Sequence, residues 1–228
     1  MKLGVLFSGW KDSCFACWKA MQSGSHEVVC LITLVSENSE SYMFHTPNIG
    51  LTKLQAEAVG LPLITKPTKG VKEEELSDLR AAIEAAKKEY GIGGVVTGAI
   101  DSVYQATRVQ TICNQLGLWC FNPLWQREQV GLLEEMYNAR FSVAITGVFA
   151  PPLGPDMLGR FIDRPCIAEL AYMQKKHGIS PSGEGGEMET IVLDGPMFKK
   201  RLLVMRKHRD FRKDSGTLVI EEAGLVPK

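Results

Sequence analysis

The chain carries no net charge, 26 Lys and Arg standing against 26 Asp and Glu in 228 residues. That balance excludes a polybasic binder whose overall field draws nucleic acid or anionic membrane, so any such contact must come from a local patch. Long apolar runs are missing too; none approaches the roughly 18 uncharged residues of a membrane-spanning helix. The opening Met1-Lys2-Leu3-Gly4-Val5-Leu6-Phe7-Ser8 turns polar by Lys11-Asp12, too early for the apolar core of a secretion signal. With six scattered Cys, the expectation is a cytoplasmic protein with reduced thiols and no membrane partner. Histidine is scarce, four in all, with no HExxH and no spaced cluster for structural zinc. Internal repeats and low-complexity tracts are absent. What is present is 45% hydrophobic residues, enough to bury a core in one or two domains.

Through the first half, β-branched runs alternate with stretches of helical period, the pattern of parallel strands joined by crossover helices. Nearly continuous apolar runs predict strands at 2–7, 28–34, 62–66, 94–97, 118–121 and 143–148, as for strands covered on both faces. Helices are predicted at 12–22, 51–59, 73–90, 102–116 and 126–137. The fold class is α/β, a doubly wound, mainly parallel sheet. Pro151-Pro152-Leu153-Gly154-Pro155 can continue neither strand nor helix, which sets a boundary near residue 150 between a first domain, 1–150, and a smaller C-terminal α+β region, 151–228. The second region reads as one or two helices through Lys176, then the acidic, glycine-rich Ser182-Gly183-Glu184-Gly185-Gly186-Glu187-Met188-Glu189-Thr190. Two strands, 200–207 and 217–221, close it as a hairpin across Lys213-Asp214-Ser215-Gly216.

The sharpest chemical signal is Leu6-Phe7-Ser8-Gly9-Trp10-Lys11-Asp12-Ser13, small residues leaving the first strand and opening the first helix. Backbone N–H groups and the positive end of the helix dipole make an anion site at such a junction, to which the hydroxyls of Ser8 and Ser13 and the charge of Lys11 add. Asp12 fits beside phosphates only with a partner, most simply a phosphate-bound Mg²⁺. The loop has neither the GxxxxGK[ST] nor the GxGxxG spacing, so neither a P-loop kinase nor a dinucleotide enzyme is indicated. A Ser-capped turn with a helix-starting Asp is the bland alternative.

The loop resembles the SGGxDS fingerprint of the PP-loop ATP pyrophosphatases, enzymes of the adenine-nucleotide α-hydrolase fold, in five residues of six. It departs at Trp10, which stands where that family has its second Gly and would strain a left-handed backbone. Further on, Thr97-Gly98-Ala99-Ile100-Asp101-Ser102-Val103-Tyr104-Gln105-Ala106-Thr107-Arg108-Val109-Gln110 lies at the end of a strand, where open parallel sheets bind ligands. Together with Leu116-Gly117-Leu118, Pro123-Leu124-Trp125 and the acidic segment, it resembles the diphthine–ammonia ligase family, which completes diphthamide on elongation factor 2. The resemblance covers nearly the whole chain.

That resemblance implies a ligase, with ATP and Mg²⁺ as cofactors and elongation factor 2 carrying diphthine, plus ammonium, as partners. The diphthine carboxylate attacks the α-phosphate, pyrophosphate leaves, and ammonia displaces AMP from the acyl-adenylate. It implies Lys11 and Asp12 as catalytic groups, and Ser8, Gly9, Lys11, Asp12, Ser13 and Gly98 at the ATP, with the adenine edge near Thr33 and Leu34. His45 closes over the nucleotide or is a solvated loop histidine. Asp101, Tyr104, Gln105, Arg108, Trp125, Glu184, Glu187, Glu189 and Thr190 are assigned to substrate, because a trimethylammonium group must be read by aromatic faces or carboxylates. A flexible charged glycine loop is the alternative for 182–190. No stable nucleic-acid partner is expected, and the oligomeric state stays open, a homodimer included.

Two rival functions remain: a PP-loop enzyme that modifies tRNA by thiolation, and a non-catalytic nucleotide sensor. Cys14-Phe15-Ala16-Cys17 suggests the first, yet no second CxxC exists and buried Cys commonly acts as a small hydrophobe. Lys199, Lys200, Arg201, Arg206, Lys207, Arg209, Arg212 and Lys213 form the one local basic field, which can dock a partner or guard an exposed strand.

Overall fold

A computed structural model describes residues 1–36, 48–71, 73 and 75–228. Its contacts divide the chain into two compact units, 1–125 and 126–228.

The first unit alternates strand and helix throughout: β1 Lys2–Leu6, α1 Lys11–Gln22, β2 Glu27–Ser36, α2 Thr52–Val59, β3 Leu63–Thr68, α3 Glu75–Tyr90, β4 Gly94–Val96, α4 Val103–Gln115 and β5 Trp119–Phe121. The sheet runs β3-β2-β1-β4-β5 and all four pairings are parallel. The chain winds outward from β1 to β3, then crosses back through α3 to place β4 on the other side of β1. Strand order therefore reverses between β1 and β4, and the loops leaving their carboxyl ends border the crevice where open α/β sheets bind ligands. One core cluster explains why α3 lies on the sheet: Leu79, Ala82, Ile83 and Ala86, spaced on one helical face, pack with Cys30, Ile32, Leu34, Ile64 and Val95.

The second unit holds α5 Gln129–Asn138, β6 Ser142–Val148, α6 Arg164–His177, β7 Met188–Asp194, β8 Lys200–Arg212 and β9 Ser215–Pro227. Its sheet is antiparallel, in the order β7-β6-β9-β8. Side chains cap both helices: the Glu128 carboxylate accepts from the N–H groups of Val130 and Gly131, and that of Asp163 from Cys166 N–H.

Two expectations change here. The run 143–148 is not a strand of the parallel sheet; it is β6, paired antiparallel with β7 and β9. Its residues 143–148 are all buried, and an apolar run covered on both faces reads alike in either kind of sheet. The boundary expected near 150 consequently moves to 125/126, because α5 and β6 belong to the second unit. The hairpin turn sits where expected, but its strands run thirteen residues each. Among the described residues no helix is long and apolar enough to cross a membrane.

Candidate functional site

The 8–13 loop is closed by its own hydroxyls. Ser13 Oγ accepts from Ser8 N–H at 3.2 Å and lies 3.1 Å from Ser8 Oγ, while Ser8 Oγ accepts from Trp10 N–H at 3.3 Å. Ser13 Oγ also lies 3.1 Å from the Trp10 carbonyl, which accepts from Cys14 N–H as the first turn of α1 closes. The left-handed position is Gly9, at φ 77°, which a Cβ would strain and drive into the Gln55 amide. Trp10 has φ −76° and ψ 163°, an extended backbone open to any residue. The departure from the fingerprint therefore stores no strain. Trp10→Gly is expected to weaken ATP binding by about 2- to 5-fold, since two adjacent glycines loosen the unbound loop. Calorimetric titration with Mg-ATP checks this, and tighter binding would mean that the tryptophan does distort the loop. The Trp10 indole Nε1 is buried with no hydrogen-bond partner.

Lys11 and Asp12 open α1 as an ion pair, Nζ to Oδ2 2.7 Å, with Lys11 almost wholly buried. Burial pushes the Asp12 carboxyl above its usual range, and Lys11 pulls it back. Its other oxygen, Oδ1, is buried with no hydrogen-bond partner. A half-satisfied carboxylate at a helix N-terminus, beside an anion loop, has the donor chemistry of a ligand for a hard divalent cation shared with phosphate oxygens.

Gly98 follows β4 and touches the same place. A Cβ there would lie 2.7 Å from the carbonyl carbon of Asp12 and from Ser13 N, so the absent side chain lets the β4 loop lie backbone to backbone against the start of α1. Thr33, on β2, is buried and donates its hydroxyl to the Phe7 carbonyl at 2.6 Å. Leu34 is buried in the core. His45 lies outside the described residues.

Of the residues assigned to substrate in the first unit, Tyr104 and Arg108 meet on α4. The guanidinium stacks 3.4 Å from the ring centroid, and both groups bond Glu73 Oε1, at 2.9 Å from Tyr104 Oη and 2.6 Å from Arg108. Nothing in the sequence marks Glu73 for this place; it lies more than thirty residues away along the chain. Gln105 gives its backbone N–H to the Ser102 cap of α4, Asp101 is exposed and Trp125 half-buried.

In the second unit, Gly183 and Gly186 take left-handed turns through the acidic segment. Glu187 Oε1 accepts from Ser180 N–H at 2.9 Å, and its Oε2 is buried without a partner. Gln129 Oε1 gathers Ser180 Oγ, Ser182 Oγ and Ser182 N–H, holding the segment to α5. Glu184 is half-buried and Thr190 buried. Glu189 is on β7 opposite Gly147, 8% exposed, with its Oε2 unpartnered. Burial pushes its carboxyl up to about 8. A Cβ on Gly147 would touch both that oxygen and the Phe149 ring, at 2.9 and 2.7 Å, so a carboxylate and an aromatic edge share one spot.

Cys14 and Cys17 are buried in α1, and burial raises both thiols, Cys17 to about 12. Such thiols are poor thiolate ligands. In the basic C-terminal field, Arg206 and His208 engage Glu221, Arg212 engages Asp210, and Arg209 donates to the Leu158 carbonyl.

A family model described as "Diphthamide synthase N-terminal domain" matches residues 1–120, and one described as "Diphthamide synthase C-terminal domain" matches 128–226. The chain is 35% identical to a Homo sapiens protein named diphthine–ammonia ligase, over 98% of this chain and 86% of that one. It is 36% identical to a Bos taurus protein of the same name, over 90% and 83%. A solved Methanocaldococcus jannaschii protein titled a "predicted subunit of tRNA methyltransferase" shares 16% identity at TM-score 0.42, covering 86% of this chain and 98% of its own. That likeness is too slight to carry an argument.

Proposed function

From the premise that the chain belongs to the diphthamide synthase family, we propose that it is an ATP-dependent, AMP-forming ligase that converts the diphthine carboxylate of elongation factor 2 to the amide with ammonium. The observation that carries the nucleotide half is the meeting of the 8–13 loop with Gly98 at the β1/β4 reversal, beside a buried carboxylate oxygen without a partner. A carboxylate does not accept an amine directly, because oxide or hydroxide leaves poorly, whereas AMP leaves readily. Adenylation therefore precedes amidation, and negative charge grows on the α-phosphate and the departing pyrophosphate. In this reading the Ser8 and Ser13 hydroxyls, the first amides of α1 and the Lys11 ammonium stabilise that charge. Asp12 would hold Mg²⁺ through its free oxygen, and the ion, when bound, neutralises charge on the leaving group. In the second unit, Glu187 offers the charge, and Phe149 beside the buried Glu189 the aromatic surface, that a trimethylammonium group requires.

The relatives named above favour this reading over tRNA modification. Turnover separates the two: AMP and pyrophosphate should accumulate only when modified elongation factor 2 and ammonium are both supplied. Turnover with tRNA in place of the factor would favour thiolation chemistry, and none with either substrate a nucleotide sensor.

A further inference from the structure

Gln55 has no exposed surface. From α2, forty-six residues along the chain, its Nε2 donates to the Gly9 carbonyl at 2.9 Å. We infer that Gln55 is a positioning residue for the nucleotide site, fixing the Gly9–Trp10 peptide so that the loop presents N–H groups rather than a carbonyl oxygen to the triphosphate. The inference rests on the reading of the 8–13 loop as the ATP-phosphate site.

A trans peptide points its C=O and N–H in opposite directions. Holding the Gly9 carbonyl on Gln55 therefore holds the Trp10 N–H on the other side, where it meets Ser8 Oγ at 3.3 Å. The preceding Phe7 carbonyl is held in the same manner by the buried Thr33 hydroxyl, and the N–H of its peptide, that of Ser8, turns to Ser13 Oγ. Two side chains from outside the loop thus pin two of its peptide planes by their oxygen ends. The second plane needs its pin most, because Gly9, at φ 77°, is the loop residue with the widest backbone freedom. Without a donor at Gln55 that plane can swing, turning its oxygen to where an anion must bind and removing the concave array of amides that attracts it.

The test titrates the full chain calorimetrically with Mg-ATP and, separately, with adenosine, which shares the base and ribose but lacks phosphates. Gln55→Met keeps the length and burial of the side chain without a donor, and Gln55→Leu removes the amide in a shorter apolar side chain. Both are expected to weaken Mg-ATP about tenfold, the scale of one buried hydrogen bond, and to leave adenosine within about twofold. Thermal unfolding of the unliganded variants reports folding, and if Gln55→Met fails to fold, Gln55→Leu carries the comparison. A variant that binds Mg-ATP like wild type, or that loses ATP and adenosine affinity in equal measure, overturns the inference and leaves Gln55 with packing alone. Wild type that binds Mg-ATP no tighter than adenosine overturns instead the reading of the loop as a phosphate site, and the inference with it.

Discussion

Asp12→Asn is expected to lower AMP formation by about 10²-fold or more at saturating Mg-ATP, the scale of losing a preorganised charge from a transition-state site. Asparagine keeps the size of the side chain and its oxygen facing Lys11, so the loss isolates charge and cation affinity from packing. The carboxylate has one oxygen on Lys11 at 2.7 Å and one with no hydrogen-bond partner. Burying such a group is unfavourable in the unliganded protein, as its upward-shifted titration records, and the cost is recovered when ligand supplies the missing partner. The variant should therefore unfold near the wild-type temperature while its turnover collapses. Turnover within about threefold of wild type would remove Asp12 from the machinery.

Glu189→Gln is expected to change the dependence of stability on pH. Burial holds the folded carboxyl protonated up to about 8, against an ordinary value of 4.5. Between those values the folded state binds a proton that the unfolded state has released, so wild-type stability falls as pH rises through that window and is unaffected by this group outside it. A glutamine has no proton to lose. The variant should therefore gain on wild type from pH 4.5 to 8, by an amount whose upper bound is several kcal/mol, and run parallel to it beyond either end. Urea unfolding at a series of pH values measures this, and curves parallel throughout would show that Glu189 is not held protonated by its burial. Glu187→Gln, at the carboxylate whose Oε1 accepts from Ser180 N–H, should instead weaken modified elongation factor 2 by roughly 5- to 150-fold, about 1–3 kcal/mol for a partly desolvated carboxylate facing a quaternary ammonium, which a binding titration with ATP affinity as the control checks.

The legible parts of the fold were those whose signal is local. Nearly continuous apolar runs gave β1 to β5, and the amphipathic period over 73–90 gave α3, because burial on a sheet face stamps its spacing on the sequence. The same reasoning could not tell which sheet 143–148 joins, since pairing partners are distant. It also stopped the hairpin strands short, because the charged residues of β8 from Arg206 to Asp210 stand exposed and show no alternation. Met188, Glu189 and Thr190 read as the end of a glycine loop, whereas they start β7. At the site, the residues of the 8–13 loop were legible as chemistry packed into six positions. Gln55 and Glu73 were not, because each acts on residues far along the chain, and an isolated Gln or Glu on a helical or acidic stretch carries no mark of its role. The identity of the left-handed residue was likewise invisible: the fingerprint drew attention to Trp10, and the backbone demand falls on Gly9.

Adenylation is tested most directly by the fate of the carboxylate oxygen. Elongation factor 2 whose diphthine carboxylate carries oxygen-18 would be turned over with Mg-ATP and ammonium, and the nucleotide and phosphate products analysed by mass. One labelled oxygen per turnover should appear in the phosphate of AMP, with pyrophosphate unlabelled, because the bond broken in amidation lies between the acyl carbon and the oxygen given to the α-phosphate. Label in inorganic phosphate, with ADP as the nucleotide product, would mean attack at the γ-phosphate and would contradict an AMP-forming ligase.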